Sequence, residues 1–255
     1  MKQSGIVTDF FEFEGKKVYY ETLGSGRPLL MIHGNTASSV LFNAEKLFYK
    51  DHFKVILFDW IGHGKSERVE GFRDDFWLYN ARTALALLSH LQIDKCNLIG
   101  SSGGALVALN LALTAPGSID KIIVESFLGE HFSADEAGRI AEIRKEEKED
   151  FLMQKFWEAM HGEDWENIID MDLELMLKVG GTIPMIRGDL SKITIPVLGV
   201  ASTKDGLIPN IDERLKAIIS KMPNASYKIF NEGRHVFMLT RNEIFRELAL
   251  DFFNK

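Results

Sequence analysis

Two apolar runs near the start of the chain, residues 27–34 (RPLLMIHG) and 54–62 (KVILFDWIG), lack the polar–apolar alternation of a half-solvated strand, and each stops at a glycine. A strand that is apolar on both faces has to be covered on both faces, which crossover helices of a parallel sheet accomplish and simple hairpins do not. Runs of the same kind recur at 95–100 (KCNLIG), 121–127 (KIIVESF) and 196–202 (PVLGVAS), with a shorter one at 226–233 (SYKIFNEG). Stretches of helical period separate or follow them at residues 74–92, 103–115, 211–222 and 242–253. This alternation predicts an α/β fold: a mostly parallel, eight-stranded sheet with helices on both faces and right-handed crossovers. The opening, FFEFEGKKVYYETLG, alternates about Glu14-Gly15 and predicts an antiparallel hairpin.

One segment breaks the rhythm. Residues 128–192 have helical periodicity and no strand pattern, and they carry 16 acidic against 8 basic residues, whereas the rest of the chain carries 21 and 22. We therefore expect a core domain of residues 1–127 and 193–255 interrupted by a helical insertion at 128–192. The charge run RKEEKED, residues 144–150, is expected on a solvated helix face.

Composition narrows the function classes. A formal net charge of −7 and no Lys/Arg cluster argue against a nucleic-acid partner. The single cysteine, Cys96, cannot form an internal disulfide and lies in an apolar run, which suits a small buried hydrophobe and a reducing compartment. The N-terminal stretch lacks the apolar core of a signal peptide, and no run approaches the roughly 18 apolar residues of a membrane helix. A cytoplasmic protein acting on a small molecule, with no membrane partner, is the expectation. Nothing in the sequence points to an oligomeric state.

The stretch NLIGSSGGALVALNLA, residues 97–112, places two serines where a strand stops and a helix starts. A nucleophile held there faces the free N–H groups and positive dipole end of the helix, which favour an oxyanion. The turn is tight enough to need small residues two before and two after the nucleophile. Ser102 has Gly100 and Gly104 at those positions, whereas Ser101 would need glycine at Ile99. Ser102 is the candidate nucleophile. Neither G-x-G-x-x-G nor G-x-x-x-x-G-K-[ST] occurs at this turn, so a phosphate-binding loop is the weaker reading.

The sequence resembles the α/β-hydrolase superfamily over nearly its whole length. The resemblance rests on His33-Gly34 after the first buried run, residues 59–66 (DWIGHGKS) after the second, the Gly100–Gly104 turn, Asp205 in ASTKDGLIP, and Gly233-Arg234-His235 before the last helix. It implies the α/β-hydrolase fold, a helical cap at the insertion, and a catalytic set in the order Ser102, Asp205, His235. A serine hydroxyl needs a base, and histidine's ordinary pKa suits that work. His235 is expected to act first as base and then as acid, oriented by Asp205. Glu125 competes as the acid, because it too ends a strand near the expected site and some branches of the superfamily carry their acid there. A glutamate in so apolar a run needs a partner, so the other reading of Glu125 is a supporting carboxylate. Asp205 is preferred.

The resemblance further implies an oxyanion hole made by the backbone N–H groups of Asn35 and Gly103, with His33 bracing its loop and Asp59 belonging to the turn. The segment HGNTASSVLF is similar to the corresponding loop of haloalkane dehalogenases. Those enzymes use an aspartate nucleophile followed by tryptophan, and here Ser102 and Gly103 stand in those places, so dehalogenation and epoxide hydrolysis are disfavoured. The expected reaction is acyl transfer to water through an acyl-enzyme on Ser102, with no cofactor and no metal.

Five of the nine methionines (Met153, Met160, Met171, Met176 and Met185) fall in the insertion with Phe151, Phe156, Trp157 and Trp165. Most of these side chains are expected to fill the space between helices. Some should face Ser102 as an adaptable apolar wall, with Trp157 and Met160 the candidate substrate contacts. The expected substrate is a small or medium, largely uncharged carboxylic ester. Two alternatives stand: a carbon–carbon bond hydrolase or lyase using the same triad, for which Arg187 and Arg234 are the candidate carboxylate anchors, and a non-catalytic ligand-binding protein on the same scaffold.

Overall fold

The computed structural model describes residues 5–255; residues 1–4, where the expected core domain and the N-terminal stretch begin, lie outside the described residues. The opening hairpin is β1 (Val7–Phe13) and β2 (Lys16–Gly24), paired antiparallel about Glu14-Gly15. The buried runs are β3 (Pro28–Ile32), β4 (Lys54–Phe58), β5 (Cys96–Ser101), β6 (Ile119–Glu125) and β7 (Val197–Ser202), and β8 (Ala225–Phe230) closes the far edge. They form one eight-stranded sheet in the order β1-β2-β4-β3-β5-β6-β7-β8. Only β2 runs antiparallel to the rest, pairing antiparallel with β1 on one side and β4 on the other. Every residue of β5 and β7 is buried, which is why their sequences show no alternation.

Helices α1 (Asn43–Tyr49), α2 (Phe76–His90) and α3 (Gly103–Thr114) belong to the first half of the sheet. Ten of the twelve residues of α3 are buried, so it has no solvent face and lies at the centre of the molecule. Core side chains divide into two clusters. One contains Leu30, Leu98, Val124 and the inner faces of α2 and α3; the other contains Leu29, Met31, Ile99 and Phe245. Alternate residues of one strand thus feed opposite faces of the sheet. Cys96 is fully buried, and burial pushes its thiol up to about 12, so it behaves as a small hydrophobe.

Three helices lie between β6 and β7: α4 (Ala134–Glu149), α5 (Phe151–His161) and α6 (Trp165–Val179). Ser133 and Glu136 cap α4 reciprocally, and Asp150 caps α5 by accepting from the N–H groups of Leu152 and Met153. Trp157 and Trp165 stack with centroids 5.4 Å apart over Ile169, giving this group a small core of its own. Ion pairs Arg214–Glu136, Lys178–Asp74 and Arg68–Asp164 tie it to the rest of the molecule. The charge run at 144–150 departs from expectation at its first residue: Arg144 is turned inward over the Trp157 ring and pairs with Glu147. Its long stem follows apolar surface while the guanidinium lies against the ring.

The chain ends with α7 (Ile211–Ile219), the short α8 (Phe237–Thr240) and α9 (Asn242–Asn254). Helices α1 and α8 have too few turns to show a period in sequence. Among the described residues, no helix is long and apolar enough to cross a membrane.

Candidate active site

Strand β5 ends at Ser101 and α3 begins at Gly103, leaving Ser102 alone in the turn with φ 54° and ψ −122°. This left-handed backbone is costly for a residue with a Cβ and is held by its surroundings. The Ser102 N–H donates to Glu125 O at 2.9 Å, and a Cβ on Gly104 would run into the carbonyl oxygens of Ile32 and His33. The two neighbouring serines part company here. Ser101 is fully buried and its hydroxyl donates to Glu125, whereas Ser102 Oγ lies 3.0 Å from Nε2 of His235.

His235 sits between β8 and α8. Its Nδ1 is 2.9 Å from Oδ2 and 3.1 Å from Oδ1 of Asp205, beyond the end of β7, and its main-chain N–H donates to Asp205 O at 3.0 Å. Oδ1 of Asp205 also accepts from the N–H groups of Leu207 and Ile208, at 3.1 and 3.0 Å. A carboxylate held by these donors has its position fixed before it meets the imidazole. Residues 102, 205 and 235, more than a hundred positions apart at the extremes, thus form one chain of hydrogen bonds. In that chain an Nδ1–H donates to Asp205 and leaves Nε2 free to accept from Ser102.

A Cβ placed on Gly103 would lie 3.0 Å from Asn35 N, so the main chain of these two residues comes close together beside Ser102. Among the described residues neither N–H donates to another protein group. His33 holds this loop: Nδ1 donates to Gly34 O at 2.8 Å and Nε2 accepts from Trp60 N at 3.2 Å. Burial lowers its pKa to about 3, so the ring is a neutral brace. Asp59 accepts from the N–H groups of Ser39 and Lys65 at 2.7 Å each, as a turn-holding carboxylate does.

Glu125 makes no hydrogen bond to the imidazole, whose partners are Asp205 and Ser102. Its carboxylate accepts from Ser101 Oγ and from Phe237 N, the latter at 3.1 Å, so it joins the serine turn to the start of α8. The reading of Glu125 as the orienting acid is corrected accordingly, since Asp205 holds His235 Nδ1 and the Glu125 carboxylate is taken by Ser101 and Phe237. Burial raises its pKa.

Ser102 opens onto two spaces. An outer cavity of about 430 Å³ is lined by His235, Asp205, Arg234, Arg144 and Trp157 among others. An inner one of about 40 Å³ is lined by Gly103, Trp77, Leu106, Asp172, Met176 and Met185 among others. Trp157 therefore backs the outer wall, but Met160 borders neither space; its sulfur accepts from Ser38 Oγ at 3.5 Å beneath α5. The reading of Met160 as a substrate contact is corrected: the side chain is used in joining the helix to the turn at Ser38. Arg187 also lies away from both spaces, exposed, with Nη2 donating to Asp74 O at 3.3 Å. Arg234 is exposed at the outer rim.

Asp172 and Trp77 were not singled out in the sequence. Oδ1 of Asp172 accepts from Asn35 Nδ2 at 2.5 Å, and Asn35 Oδ1 accepts from Trp77 Nε1 at 3.1 Å. Burial raises the Asp172 pKa to about 6. A signal was present: Asp172 stands among Ile168, Ile169, Leu175 and Met176 on the apolar stripe of α6. Among the described residues no group of three or more His, Cys, Asp or Glu side chains is assembled as a metal site.

Residues 27–168 match the family model described as the alpha/beta hydrolase fold. The chain belongs to the α/β-hydrolase fold family. Among its curated relatives, human serine hydrolase BPHL is 27% identical over 248 residues, covering 93% of this chain and 83% of that protein. The putative carbamate hydrolase RutD of Azorhizobium caulinodans is 25% identical, covering 92% of this chain and 94% of that protein. Among solved structures, the 2-hydroxy-6-oxo-6-phenylhexa-2,4-dienoate hydrolase of Rhodococcus sp. strain RHA1 superposes with a TM-score of 0.83 at 17% identity, over 99% of this chain and 100% of its own. The esterase EaEST of Exiguobacterium antarcticum gives 0.78 at 22%, over 98% and 100%. This α/β hydrolase thus shares its fold with enzymes that differ in the bond they cleave.

Proposed function

We propose that this member of the family is a serine hydrolase that cleaves a small or medium, largely uncharged carboxylic ester through an acyl-enzyme on Ser102. The observation that carries the reading is the continuous run from Ser102 Oγ through His235 to Asp205, at 3.0 and 2.9 Å. His235 takes the serine proton as Oγ attacks the acyl carbon, and Asp205 stabilises the imidazolium. The N–H groups of Asn35 and Gly103 receive the oxyanion. Residues 128–192 serve as a cap over the core formed by 1–127 and 193–255, and Trp157 is a wall of the substrate space.

The apolar lining supplied by Met153, Phe156, Met176 and Met185 supports an uncharged substrate. Arg144 and Arg234 at the outer cavity favour, as a second reading, cleavage of a carbon–carbon bond in a substrate bearing a carboxylate. Labelling with a fluorophosphonate probe tests the nucleophile: Ser102 is modified in the native chain and Ser102→Ala is not. A panel of esters and vinylogous diketones then separates the two readings, and negligible turnover of every ester removes the first.

A further inference from the structure

Ser102 stands in the wall between two compartments, and only the outer one contains His235. That asymmetry assigns the two halves of a substrate. In acyl transfer the proton taken from Ser102 is handed by His235 Nε2 to the leaving oxygen, which has to come within about 3 Å of that nitrogen. The alcohol portion therefore occupies the outer cavity. The carbonyl oxygen turns to the N–H groups of Asn35 and Gly103, and the acyl chain is left with the direction past Gly103, into the inner compartment.

We infer that the inner compartment is the acyl-binding site and that the substrate is an ester of a short acyl group, acetyl to butanoyl, with a bulky alcohol. This rests on the serine-hydrolase reading above and specifies it. The inner space, at about 40 Å³, is roughly a tenth of the outer one. The outer space, at about 430 Å³, falls in the range of whole small-molecule sites. Leu106 of α3, Ile140 of α4, Met176 of α6 and Met185 bound the inner space, with Leu128 beside them. The length limit is thus imposed largely by the helices between β6 and β7, and its wall is apolar apart from Arg144 and the Asn35–Asp172 pair.

Water is the one co-reactant. The Oγ–acyl carbon bond forms as the Ser102 proton moves to Nε2. The acyl carbon–alkoxy bond breaks as that proton passes to the departing oxygen. Water then gives a proton to His235 and its hydroxyl to the acyl carbon, the acyl carbon–Oγ bond breaks as His235 returns the proton to Oγ, and a short carboxylic acid is released.

Two ester series test the assignment on the full chain, with fluorophosphonate labelling of the same preparation. Across 4-nitrophenyl esters from acetate to decanoate, kcat/KM is expected to fall at least about tenfold between butanoate and octanoate, since even one methylene that does not fit costs about that much. 1-Naphthyl acetate is expected to be hydrolysed within about tenfold of 4-nitrophenyl acetate, because the outer cavity has room for both. Met176→Ala is expected to raise the octanoate-to-butanoate ratio about tenfold, and Leu128→Ala is a second enlargement should the first fail to fold. A native profile that is flat or rises toward octanoate, with Ser102 labelled, overturns the acyl assignment and leaves the serine-hydrolase reading standing. No labelling together with no ester turnover overturns both.

Discussion

Oδ1 of Asp172 on α6 accepts a hydrogen bond from the side chain of Asn35, 2.5 Å away, on the loop whose main-chain N–H faces the serine turn. One bond thus couples the helices between β6 and β7 to the surroundings of Ser102, through a carboxyl group whose pKa burial raises to about 6.

The folded protein holds the Asp172 proton more tightly than the unfolded chain, whose carboxyl titrates at its ordinary value of 3.8, against about 6 when buried. The stabilisation of the protonated form is present at low pH and is lost as pH rises between those values. Asp172→Asn keeps an acceptor for Asn35 and removes the charge. We expect the stability advantage of Asp172→Asn over the native chain to grow by about 1 to 2 kcal/mol between about pH 5 and pH 8. Urea unfolding at both pH values measures this, and a constant difference would show that Asp172 does not titrate in this window.

Asp205 and Glu125 are distinguished by kinetics. Asp205→Asn should lower kcat/KM for a 4-nitrophenyl ester by about 10⁴, because the imidazole loses the acceptor that sets its tautomer. Glu125→Gln retains an acceptor for Phe237 N and should cost less than about tenfold, in line with a group that acts on the turn rather than on the proton. Equal losses in the two variants would contradict the division of roles.

Glu125→Ala removes both jobs at once. It leaves the Ser101 hydroxyl and the Phe237 N–H buried with fewer partners. The expected loss is about 2 to 4 kcal/mol of stability. Thermal unfolding reads this directly, and a melting temperature unchanged from native would mean the two groups find other partners.

Gly104→Ala tests the tightness of the serine turn. The new Cβ would meet main-chain oxygens of Ile32 and His33, which have no flexible side chain to yield. We expect a loss of more than about 2 kcal/mol and a fall in fluorophosphonate labelling of Ser102 in whatever fraction folds. Native-like labelling would show that the turn has slack.

Local pattern carried much of the architecture. The unalternating runs at Leu29–Ile32 and Val55–Phe58 already demanded cover on two faces, and Gly100 and Gly104 singled out Ser102 over Ser101, because sterics at a strand-to-helix turn act over a few residues. His235 and Asp205 were legible only through their order along the chain and the resemblance it supports. Arg144 and Asp172 were read as part of a solvated helix and left unremarked, although one lies over Trp157 and the other beneath Asn35. Which face of an amphipathic helix meets a partner is decided when the partner arrives, and nothing within α4 or α6 encodes where Asn35 and Trp77 will be.

The sequence by itself determined the sheet, its crossovers and the glycine pattern that sets Ser102 apart from Ser101, since periodicity and turn sterics are local. Tertiary structure alone decided that Asp205 rather than Glu125 meets His235, that Met160 faces Ser38, and that Ser102 divides a large space from a small one. Those outcomes depend on distances between side chains far apart along the chain, and such distances are set by how the elements pack.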